Sequence, residues 1–361
     1  MIQTFRRIPM VLLHIAHIET AVVGGVNIAV PKMANSQREF ADVGIINLTG
    51  EPVDSVPTFC LEDFWSKKIP DLFRKPDLVI FHEVYRPAFL KLARFFQEKQ
   101  IPYLVIPHGC LTKTAQQKKR LKKWTANLLL FGSFLKNAVS IQYLSRREQE
   151  QSAFSYPSLV LPNGITLPKQ FKSTLLSKNI KLLYIGRLEL TIKGFDLLLG
   201  AINLQKDLMR ATNTTLTIHG PNEDPSREEL EKLIERYQIS DLVSLQGEVW
   251  AEEKETAFLS SDYFIQTSRS EGMPMGLLEA LAHGLPVIVT EGTGFSHIVS
   301  EEQCGFGCKT SKEDIALAIK QAIIDRDGYQ TLSENARRLI EDNFEEKKVA
   351  EQSVMTYRNL L

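Results

Sequence analysis

The sequence predicts an α/β protein with two Rossmann-like domains, each built on a parallel sheet with crossover helices. Short, apolar, β-branched runs alternate with stretches of helical periodicity along most of the 361 residues. Buried strands separated by helices in this way are typical of parallel sheets. The alternation is interrupted near the middle of the chain and then starts again. Two successive series favour two doubly wound domains over one barrel.

In the first half, five apolar runs are predicted to be strands. They are "MVLLHIAH", "ADVGIINLT", "DLVIFHE", "IPYLVIPHG" and "VSIQYLS". The segment "PAFLKLARFFQEKQ" is predicted to be a helix because Phe89, Leu92, Ala93 and Phe96 fall on one face. The segment "GGVNIAVPKMANSQRE" follows the first strand, and we interpret it as a glycine loop that enters a helix.

The second half repeats the pattern. Its predicted strands are "IKLLYIGR", "TTLTIHG", "VSLQGEV", "YFIQTS" and "LPVIVT". Its predicted helices include "KGFDLLLGAINLQKDL", "REELEKLIERYQ" and the stretch from Ser333 to Leu361. Pro, Asn and Gly residues cluster between positions 162 and 168, which indicates a linker. We therefore expect domains at residues 1–165 and 166–344.

Charge is unevenly distributed along a globular composition that is 43% hydrophobic and 24% charged. Lys and Arg outnumber Asp and Glu by 22 to 13 in residues 1–170, a net charge of +9, and are outnumbered by 21 to 30 in the remainder. A basic first half suggests an anionic partner, either a phosphate-bearing substrate or an acidic membrane surface.

Several classes of protein are disfavoured. The four cysteines form no CxxC pair with supporting histidines, which argues against a zinc site, and their small number favours a reducing cytoplasm. The apolar patch near the start is short and interrupted by His14 and His17, so we interpret it as a core strand rather than a signal peptide. No apolar run approaches the about 20 residues that span a bilayer.

Two basic residues follow a predicted strand in "YIGRLELTIKG". The strand ends at Gly186, and Arg187 and Lys193 come next. Ligands of open α/β sheets bind at the carboxyl ends of strands. An Arg that binds two oxygens and a Lys that acts as a point charge suit a diphosphate. On this feature alone, two solvated surface charges are the simpler interpretation.

Two glutamates bracket a helix start in "TSRSEGMPMGLLEALAHG". Pro274 and Gly276 are tolerated only near the beginning of a helix, so Glu271 is expected in the loop and Glu279 about one turn inside the helix. Unpaired N–H groups between the two carboxylates would form a phosphate seat. They belong to Met275, Gly276 and Leu277. A ligand that fits this layout offers hydroxyls, then an anion, then hydroxyls. A nucleoside diphosphate sugar does so with its ribose, its diphosphate and its hexose. The alternative is a plain helix with an acidic residue near its N-terminus, where a negative charge interacts favourably with the helix dipole.

Two features of the first half carry less information. His108 follows a strand in "IPHGCL" and could exchange hydrogen bonds with a sugar, or be a structural histidine. Gly24 and Gly25 in "VVGGVN" permit close approach of a ligand, or form a simple turn. The GxGxxG pattern is incomplete, so the dinucleotide signal is weak.

A basic stretch precedes an apolar run in "KKRLKKWTANLLLFGSFLK". The residues concerned are Lys118, Lys119, Arg120, Lys122, Lys123 and Trp124. Such a combination is typical of a helix that lies on a membrane surface, and a solvated helix face explains it about as well. Nucleic acid is a poorer fit because no basic stripe or recognised binding module accompanies the stretch.

Arg187 with Lys193, followed by Glu271-x7-Glu279 before a short helix, resembles the retaining glycosyltransferases of family 4, which have the GT-B fold. The segments "VLPNGI" and "LQGEV" also match that layout. The resemblance covers nearly the whole chain and is stronger in the second half. It implies two Rossmann-like domains that face each other across a cleft, with the acceptor domain first and the donor domain second. A C-terminal helix at about 345–361 would pack back on the first domain.

The resemblance implies roles for these residues. Arg187 and Lys193 would neutralise the diphosphate as it leaves, Glu279 would bind the ribose, and Glu271 would bind hydroxyls of the donor sugar. Backbone groups at the helix start would help Glu271 to bind the donor. They belong to Met273, Pro274, Met275, Gly276 and Leu277.

Other donor contacts are implied at the edges of the site. Gly247 and Val249 would lie near the base, with Gly186 at the diphosphate loop. Gly25 would let the first domain approach the diphosphate, and His108 would contact the donor sugar near the anomeric carbon.

One segment departs from the family pattern. The family often has Gly-Gly-x-x-Glu after the strand that follows the second glutamate, whereas this chain has "EGTGFSHIV". Ser296 and His297 occupy the places where Pro and Glu are common. Thr293 and Gly294 would be the donor contacts in this segment.

The resemblance implies a retaining, metal-independent hexosyltransferase, with a nucleoside diphosphate sugar as co-substrate and no cofactor. A UDP-hexose is the best expectation for the donor, and a glycan or lipid-linked acceptor in surface polysaccharide or capsule synthesis is expected. The enzyme would be cytoplasmic, and the basic stretch suggests a peripheral position on the inner face of the cell membrane. Alternatives are a non-catalytic GT-B-like subunit that binds glycan or a partner, and a sugar-nucleotide epimerase, whose usual catalytic carboxylates and His cluster are not recognisable.

Overall fold

The computed structural model describes residues 9–19, 25–117, 120–172, 175–221 and 226–361. The chain forms two compact units. The first takes in residues up to Gly164 together with Glu346–Leu361, and the second is Ile165–Glu345. Each unit contains one parallel sheet with helices between its strands, which confirms the predicted fold class.

The first unit has a seven-stranded sheet in the order β3-β2-β1-β4-β5-β6-β7. The direction of the strand order reverses between β1 and β4, which is the point at which open α/β sheets bind ligands. The strands are β1 Met10–Ala16, β2 Ala41–Asn47, β3 Thr58–Cys60, β4 Leu78–His82, β5 Tyr103–Ile106, β6 Ser140–Tyr143 and β7 Ser158–Val160.

Eight of the described helices of the first unit precede the second unit in the chain, and a ninth, the C-terminal helix, is described below. The eight are α1 Val26–Gln37, α2 Leu61–Trp65, α3 Asp71–Arg74, α4 Pro87–Glu98, α5 Lys113–Gln117, α6 Arg120–Ala126, α7 Gly132–Lys136 and α8 Arg146–Glu150, with a π-helical turn at Asn127–Phe131 between α6 and α7. Helix α4 buries Phe89, Leu92, Ala93 and Phe96, the face that the periodicity predicts.

The second unit has a six-stranded sheet in the order β10-β9-β8-β11-β12-β13. Its strand order reverses between β8 and β11, so this unit has the same kind of switch point as the first. The strands are β8 Lys181–Ile185, β9 Thr215–His219, β10 Val243–Gln246, β11 Tyr263–Gln266, β12 Val287–Thr290 and β13 Gly305–Cys308.

Seven helices of the second unit are described. They are α9 Phe195–Ala211, α10 Ser226–Tyr237, α11 Ala251–Ser260, α12 Met275–Ala282, α13 Ser296–Glu301, α14 Lys312–Ile324 and α15 Tyr329–Asn343, with a 3-10 turn at Glu291–Thr293. Helices α9 and α14 pack on each other, and apolar side chains between them and the sheet form the main core of the unit.

Two helices occupy the C-terminal stretch from Ser333 to Leu361, which the sequence predicts to be helical. Helix α15 ends before Phe344, whose backbone leaves the helical region and whose carbonyl accepts a hydrogen bond from Ile165 N at 2.7 Å. Helix α16, Glu346–Asn359, then packs on α1 in the first unit. Among the described residues, no helix has the length and apolarity needed to cross a membrane.

Helix α16 is held by a buried hydroxyl. Tyr357 Oη donates to Gln142 Oε1 at 2.6 Å, and both side chains are almost fully buried. The Tyr357→Phe change leaves Gln142 Oε1 without this donor, which costs about 1–3 kcal/mol in a buried site. We expect the α16 amides to exchange about 5- to 150-fold faster, measured by hydrogen-exchange mass spectrometry.

The matched control is Met355→Ala on the same helix, where the side chain is exposed. Its amide exchange should stay close to native. Equal exchange in the Tyr357→Phe and native proteins would show that the hydroxyl does not hold the helix.

Candidate active site

The loops after β8 and β11 meet in the second unit, at the point where the strand order reverses. Lys193 lies in the first loop and Glu271 in the second, and Lys193 Nζ is 2.7 Å from Glu271 Oε1. Both side chains are largely buried, with 14% and 11% of their surface exposed. The sequence predicts both residues for this site but gives no sign of their direct contact.

Glu271 receives two further hydrogen bonds on the same oxygen. Ser268 Oγ donates to Glu271 Oε1 at 2.6 Å, and Gln266 Nε2 donates to it at 2.9 Å. Charge-assisted bonds of this kind stabilise a carboxylate and fix its direction. In the described part of the chain, Glu271 Oε2 has no donor, so it remains able to accept a bond from a ligand hydroxyl.

Arg187 follows β8 and has an exposed side chain. Its carbonyl accepts a hydrogen bond from Tyr184 Oη at 3.1 Å, which holds the backbone of the loop. Within the described ranges, its guanidinium takes part in no ion pair. The loop after β8 therefore supplies one paired cation, Lys193, and one unpaired cation, Arg187.

Two glycines allow the loops to approach closely. Gly194 has φ +71°, and a Cβ there would lie 2.1 Å from Thr267 O. A Cβ on Gly292 would lie 1.8 Å from Ser268 O, and Gly292 O accepts a hydrogen bond from Glu271 N at 3.1 Å. Any side chain at these positions would push the loops apart, so the place of Glu271 depends on both glycines.

An ion pair beside this contact ties the same loops together. Arg269 donates to both carboxylate oxygens of Asp196 at 2.7 Å, and its N–H donates to Ile192 O at 2.8 Å. The planar guanidinium matches the carboxylate, which makes this a well-oriented pair. The sequence gives no signal for it because the two residues come from separate elements.

Helix α12 begins next to the end of β8. Pro274 precedes it without a side-chain cap, and the first backbone bond runs from Leu278 N to Pro274 O at 3.2 Å. A Cβ on Gly276 would lie 3.1 Å from Ile185 O, so the helix start packs tightly on the last residue of β8. The N–H groups of the first turn lack intrahelical partners, as at any helix start, and favour an anion. They belong to Met275, Gly276 and Leu277, the residues the sequence predicts for this role.

Glu279 lies in the second turn of α12 and is paired with a residue that sequence reasoning missed. Lys254 Nζ, from α11, is 2.6 Å from Glu279 Oε2. Both side chains are about a quarter exposed, so solvent still reaches the pair. No spacing in the sequence signals Lys254, because it is brought here by the packing of two helices.

A groove opens at the carboxyl ends of β9 and β10. Its volume is about 510 Å³, and its lining includes His219, Gly247, Glu248 and Val249. A hydrogen bond of 3.1 Å joins His219 Nδ1 and Gly247 O. The two residues expected near the base, Gly247 and Val249, therefore line a common groove.

Thr293 and Gly294 have structural roles of their own. Thr293 is buried, and its hydroxyl donates to Thr290 O at 2.7 Å. Gly294 has φ +78° and ends the 3-10 turn. In the first unit, Gly25 has φ +51° and precedes α1, whereas Gly24 lies outside the described residues.

His108 lies after β5 in an unusual backbone conformation. Its φ is +49°, and that of Gly109 is +83°. Left-handed backbone at a residue with a side chain costs free energy and persists only where the surroundings enforce it. Here the buried Glu148 carboxyl accepts hydrogen bonds from Gly109 N at 2.5 Å and Leu144 N at 2.8 Å. Burial raises the pKa of Glu148, opposed by these two bonds.

His108 is joined to two histidines that the sequence does not assign to the site. His108 Nε2 is 3.0 Å from His82 Nδ1, and His82 Nε2 is 2.9 Å from His14 Nδ1. Burial lowers the pKa of His14 and of His108 to about 4 and lowers that of His82 well below its usual value. All three rings are therefore neutral near pH 7.

The basic stretch is only partly described. Lys118 and Lys119 lie outside the described residues, and the side chains of Arg120 and Lys122 lie outside them as well. Lys123 Nζ donates to Ala115 O at 2.7 Å and lies 5.3 Å from the centre of the Tyr85 ring. Trp124 is 61% exposed, and three leucines that follow it are also more than half exposed. They are Leu128, Leu129 and Leu130.

In the ranges that the structure describes, no group of three or more His, Cys, Asp or Glu side chains is arranged to hold a metal ion.

Comparison with known proteins shows similarity over part of the chain. Residues 168–339 match the family described as Glycosyl transferases group 1. The chain is 28% identical to the putative colanic acid biosynthesis glycosyltransferase WcaL of Escherichia coli over 35% of its own length and 33% of that protein. It is 27% identical to the alpha-monoglucosyldiacylglycerol synthase of Streptococcus pneumoniae over 51% of its own length and 44% of that protein. The chain thus spans less than half the length of both relatives.

Solved structures show the fold of the whole chain. Anabaena Alr3699/HepE in complex with UDP-glucose superposes with a TM-score of 0.72 at 18% identity, covering 98% of this chain and 100% of that one. The fold is therefore GT-B, and residues 168–339 are similar to the Glycosyl transferases group 1 family.

Gly292 provides a test of the loop packing. In Gly292→Ala the new Cβ overlaps Ser268 O, so the loop that carries Glu271 must move. We expect a loss of stability of about 3 kcal/mol or more, seen as a lower thermal midpoint of unfolding.

The control is Gly200→Ala inside α9, where the added Cβ would be 3.4 Å from the nearest atom of the Lys312 side chain. Ala is favoured over Gly in a helix interior by about 1 kcal/mol, so this variant should unfold at or above the native temperature. If the two variants unfold at the same temperature, the close approach at Gly292 does not constrain the loops.

Proposed function

Starting from the GT-B fold and the similarity to the group 1 family, we propose that the protein transfers a hexose from a nucleoside diphosphate sugar to a glycan or lipid-linked acceptor. Transfer retains the anomeric configuration and needs no metal ion. The observation that carries the proposal is the meeting of Lys193, Glu271 and the start of α12 at the carboxyl end of β8.

The diphosphate is bound by Arg187, Lys193 and the first turn of α12. Arg187 is exposed after β8 and can engage two phosphate oxygens. Lys193 is held in place by Glu271, so its remaining N–H groups are aimed at the diphosphate, while most of the net positive charge comes from Arg187 and the helix start. Negative charge develops on the diphosphate as the glycosidic bond breaks, and fixed positive groups stabilise that charge without reorganising.

The hydroxyls of the donor bind the two glutamates. Glu271 Oε1 already accepts three bonds, and Oε2 accepts a hydroxyl of the hexose. Glu279 binds the ribose hydroxyls while it remains paired with Lys254, because a carboxylate has enough lone pairs for both partners. The base lies in the groove beside Gly247 and Val249.

Retention follows without a protein nucleophile. The lone pairs of Glu271 Oε1 are engaged by an ammonium, a hydroxyl and an amide, which lowers the nucleophilicity of this carboxylate. The leaving diphosphate takes the acceptor proton on the face from which it departs, and the acceptor oxygen attacks on that face through an oxocarbenium-like state. Stabilising the leaving group is then the main demand on the protein.

UDP-hexose is the proposed donor, supported by the UDP-glucose complex of the Anabaena structure. A glycan or lipid-linked acceptor in surface polysaccharide or capsule synthesis is supported by the names of the colanic acid and diacylglycerol relatives. Exposed Trp124 and its neighbouring leucines support a peripheral position on the inner face of the cell membrane, with the enzyme in the cytoplasm.

Arg187 gives the sharpest test of the diphosphate site. Arg187→Ala removes an exposed cation, so the fold should be unaffected while transfer falls about 100- to 1000-fold, the usual loss for one group that stabilises developing charge. The measurement is release of nucleoside diphosphate from a donor that the native protein accepts.

The control is Arg210→Ala, which removes another exposed Arg of the same unit, paired with Asp241. It should transfer at the native rate. Native turnover by the Arg187→Ala protein would exclude Arg187 from leaving-group stabilisation.

Nucleotide binding tests the proposal without an acceptor. UDP at about 100 times its dissociation constant should stabilise the native protein by about 2.7 kcal/mol, and GDP, dTDP and ADP should shift the thermal midpoint less. The Arg187→Ala variant should lose affinity for UDP but keep its affinity for uridine, which lacks phosphate. No shift from any nucleotide would favour a non-catalytic GT-B subunit that binds glycan or a partner protein.

A further inference from the structure

A buried line of hydrogen-bonded side chains connects helix α16 to His108 within the first unit. It runs from Ser353 on α16 to Gln37 at the end of α1, then to His14, His82 and His108. The His14 and His82 rings are within 15° of parallel, and the His82 and His108 rings within 30°. Between neighbouring rings, a nitrogen of one faces a nitrogen of the next, at 2.9 Å for His14 and His82 and at 3.0 Å for His82 and His108.

The direction of the bonds is fixed at the α16 end. Ser353 Oγ donates its only proton to Ala350 O at 2.7 Å, since a backbone carbonyl can only accept. Ser353 Oγ must then accept from Gln37, whose Nε2 lies 2.8 Å away. The amide of Gln37 is thereby oriented with its oxygen toward His14 Nε2, at 2.9 Å.

Reversing the Gln37 amide would break this arrangement. The Gln37 oxygen would then face Ser353 Oγ, whose only proton is already donated to Ala350 O, so no proton would lie between the two oxygens.

The order of donors then propagates through the histidines. His14 Nε2 donates to the Gln37 oxygen, so His14 Nδ1 of the neutral ring is an acceptor. His82 Nε2 must donate to His14 Nδ1, which leaves His82 Nδ1 as an acceptor. His108 Nε2 donates to His82 Nδ1, and His108 Nδ1 carries a lone pair. This propagation requires neutral rings, and burial disfavours the charged form of all three.

We propose that α16, acting through Gln37, His14 and His82, fixes His108 in the tautomer that is protonated on Nε2, so that His108 Nδ1 accepts a hydrogen bond from a substrate hydroxyl. The role toward substrate rests on the proposed function, whereas the tautomer does not. Gln37, His14 and His82 are positioning residues because they act through His108.

The proposal narrows what His108 can bind. A hydroxyl of a sugar donates to an unprotonated Nδ1, whereas a phosphate or carboxylate oxygen would place lone pair against lone pair. The described residues provide no partner for His108 Nδ1, so this acceptor is left to the substrate. A donor analogue without the hydroxyl concerned should lose this contact.

The tautomer is measured directly on the native protein labelled with 15N-histidine. Long-range 1H–15N correlation spectra distinguish a ring protonated on Nε2 from one protonated on Nδ1, and His→Gln variants assign the signals. We expect His14, His82 and His108 all to be neutral and protonated on Nε2. A charged ring or an Nδ1 proton on His108 overturns the proposal, whether or not the protein transfers sugar.

The Gln37→Leu variant tests the origin of the tautomer. It removes the acceptor for His14 Nε2, so the His108 signals should shift toward a mixture of tautomers. With a donor that the native protein turns over, kcat should fall about tenfold while the donor KM changes little, as for a contact that matters most in the transition state. If the His108 spectrum of the Gln37→Leu variant is unchanged, α16 does not determine the tautomer of His108.

The matched control is Tyr103→Phe, at the start of β5. It removes a buried hydrogen bond from Tyr103 Oη to Phe134 O, of 2.7 Å, in the same sheet. This change should lower stability without altering the His108 spectrum or kcat. Equal losses of kcat in the two variants would assign the Gln37 effect to general destabilisation. If Gln37→Leu does not fold, the native spectrum alone still decides the tautomer.

Discussion

The buried contact between Lys193 and Glu271 is the interaction on which the candidate site depends. Removing two charges from water is costly, and their attraction offsets that cost only when other hydrogen bonds complete the arrangement. Ser268 and Gln266 supply those bonds, and Gly292 lets the loops come close enough to form them. The pair is nearly neutral as a unit. If the site binds a diphosphate as proposed, the attraction comes largely from Arg187 and the start of α12, and Lys193 adds directed hydrogen bonds.

Both units use the same strand order, and this places chemistry at equivalent points. The order reverses between β1 and β4 in one sheet and between β8 and β11 in the other. In the second unit, the loops at this point carry Lys193 and Glu271. In the first unit, the same two strands carry His14 and His82, which lead to His108 on the neighbouring β5 loop. One sheet topology thus supports a cluster of charged side chains in one unit and a line of hydrogen-bonded histidines in the other.

The sequence predicts the features that are local. Long apolar runs mark most strands, and Arg187, Lys193 and Glu271 are recognisable because each follows a strand. Strands β3, β7 and β13 are missed because "TFC", "SLV" and "GFGC" are too short or too glycine-rich to give a periodic signal. Lys254 is missed because packing between helices, rather than spacing, brings it to Glu279. His14 and His82 lie within apolar runs, where they look like interruptions of a core strand; only their ring-to-ring contacts show otherwise.

How strongly the His108 tautomer is fixed depends on Gln37, near the α16 end of the hydrogen-bonded line. The two tautomers of a neutral imidazole are close in free energy in water, so a modest bias decides between them. Moving the proton of each ring to its other nitrogen would leave His14 Nε2 without a proton. Two acceptors, His14 Nε2 and the Gln37 oxygen, would then face each other in a buried site. A buried acceptor left unpaired costs about 1–3 kcal/mol, which corresponds to a ratio of about 5 to 150 between the tautomers. One amide anchored by α16 is therefore enough to determine which nitrogen His108 offers to a substrate, although α16 never needs to touch that substrate.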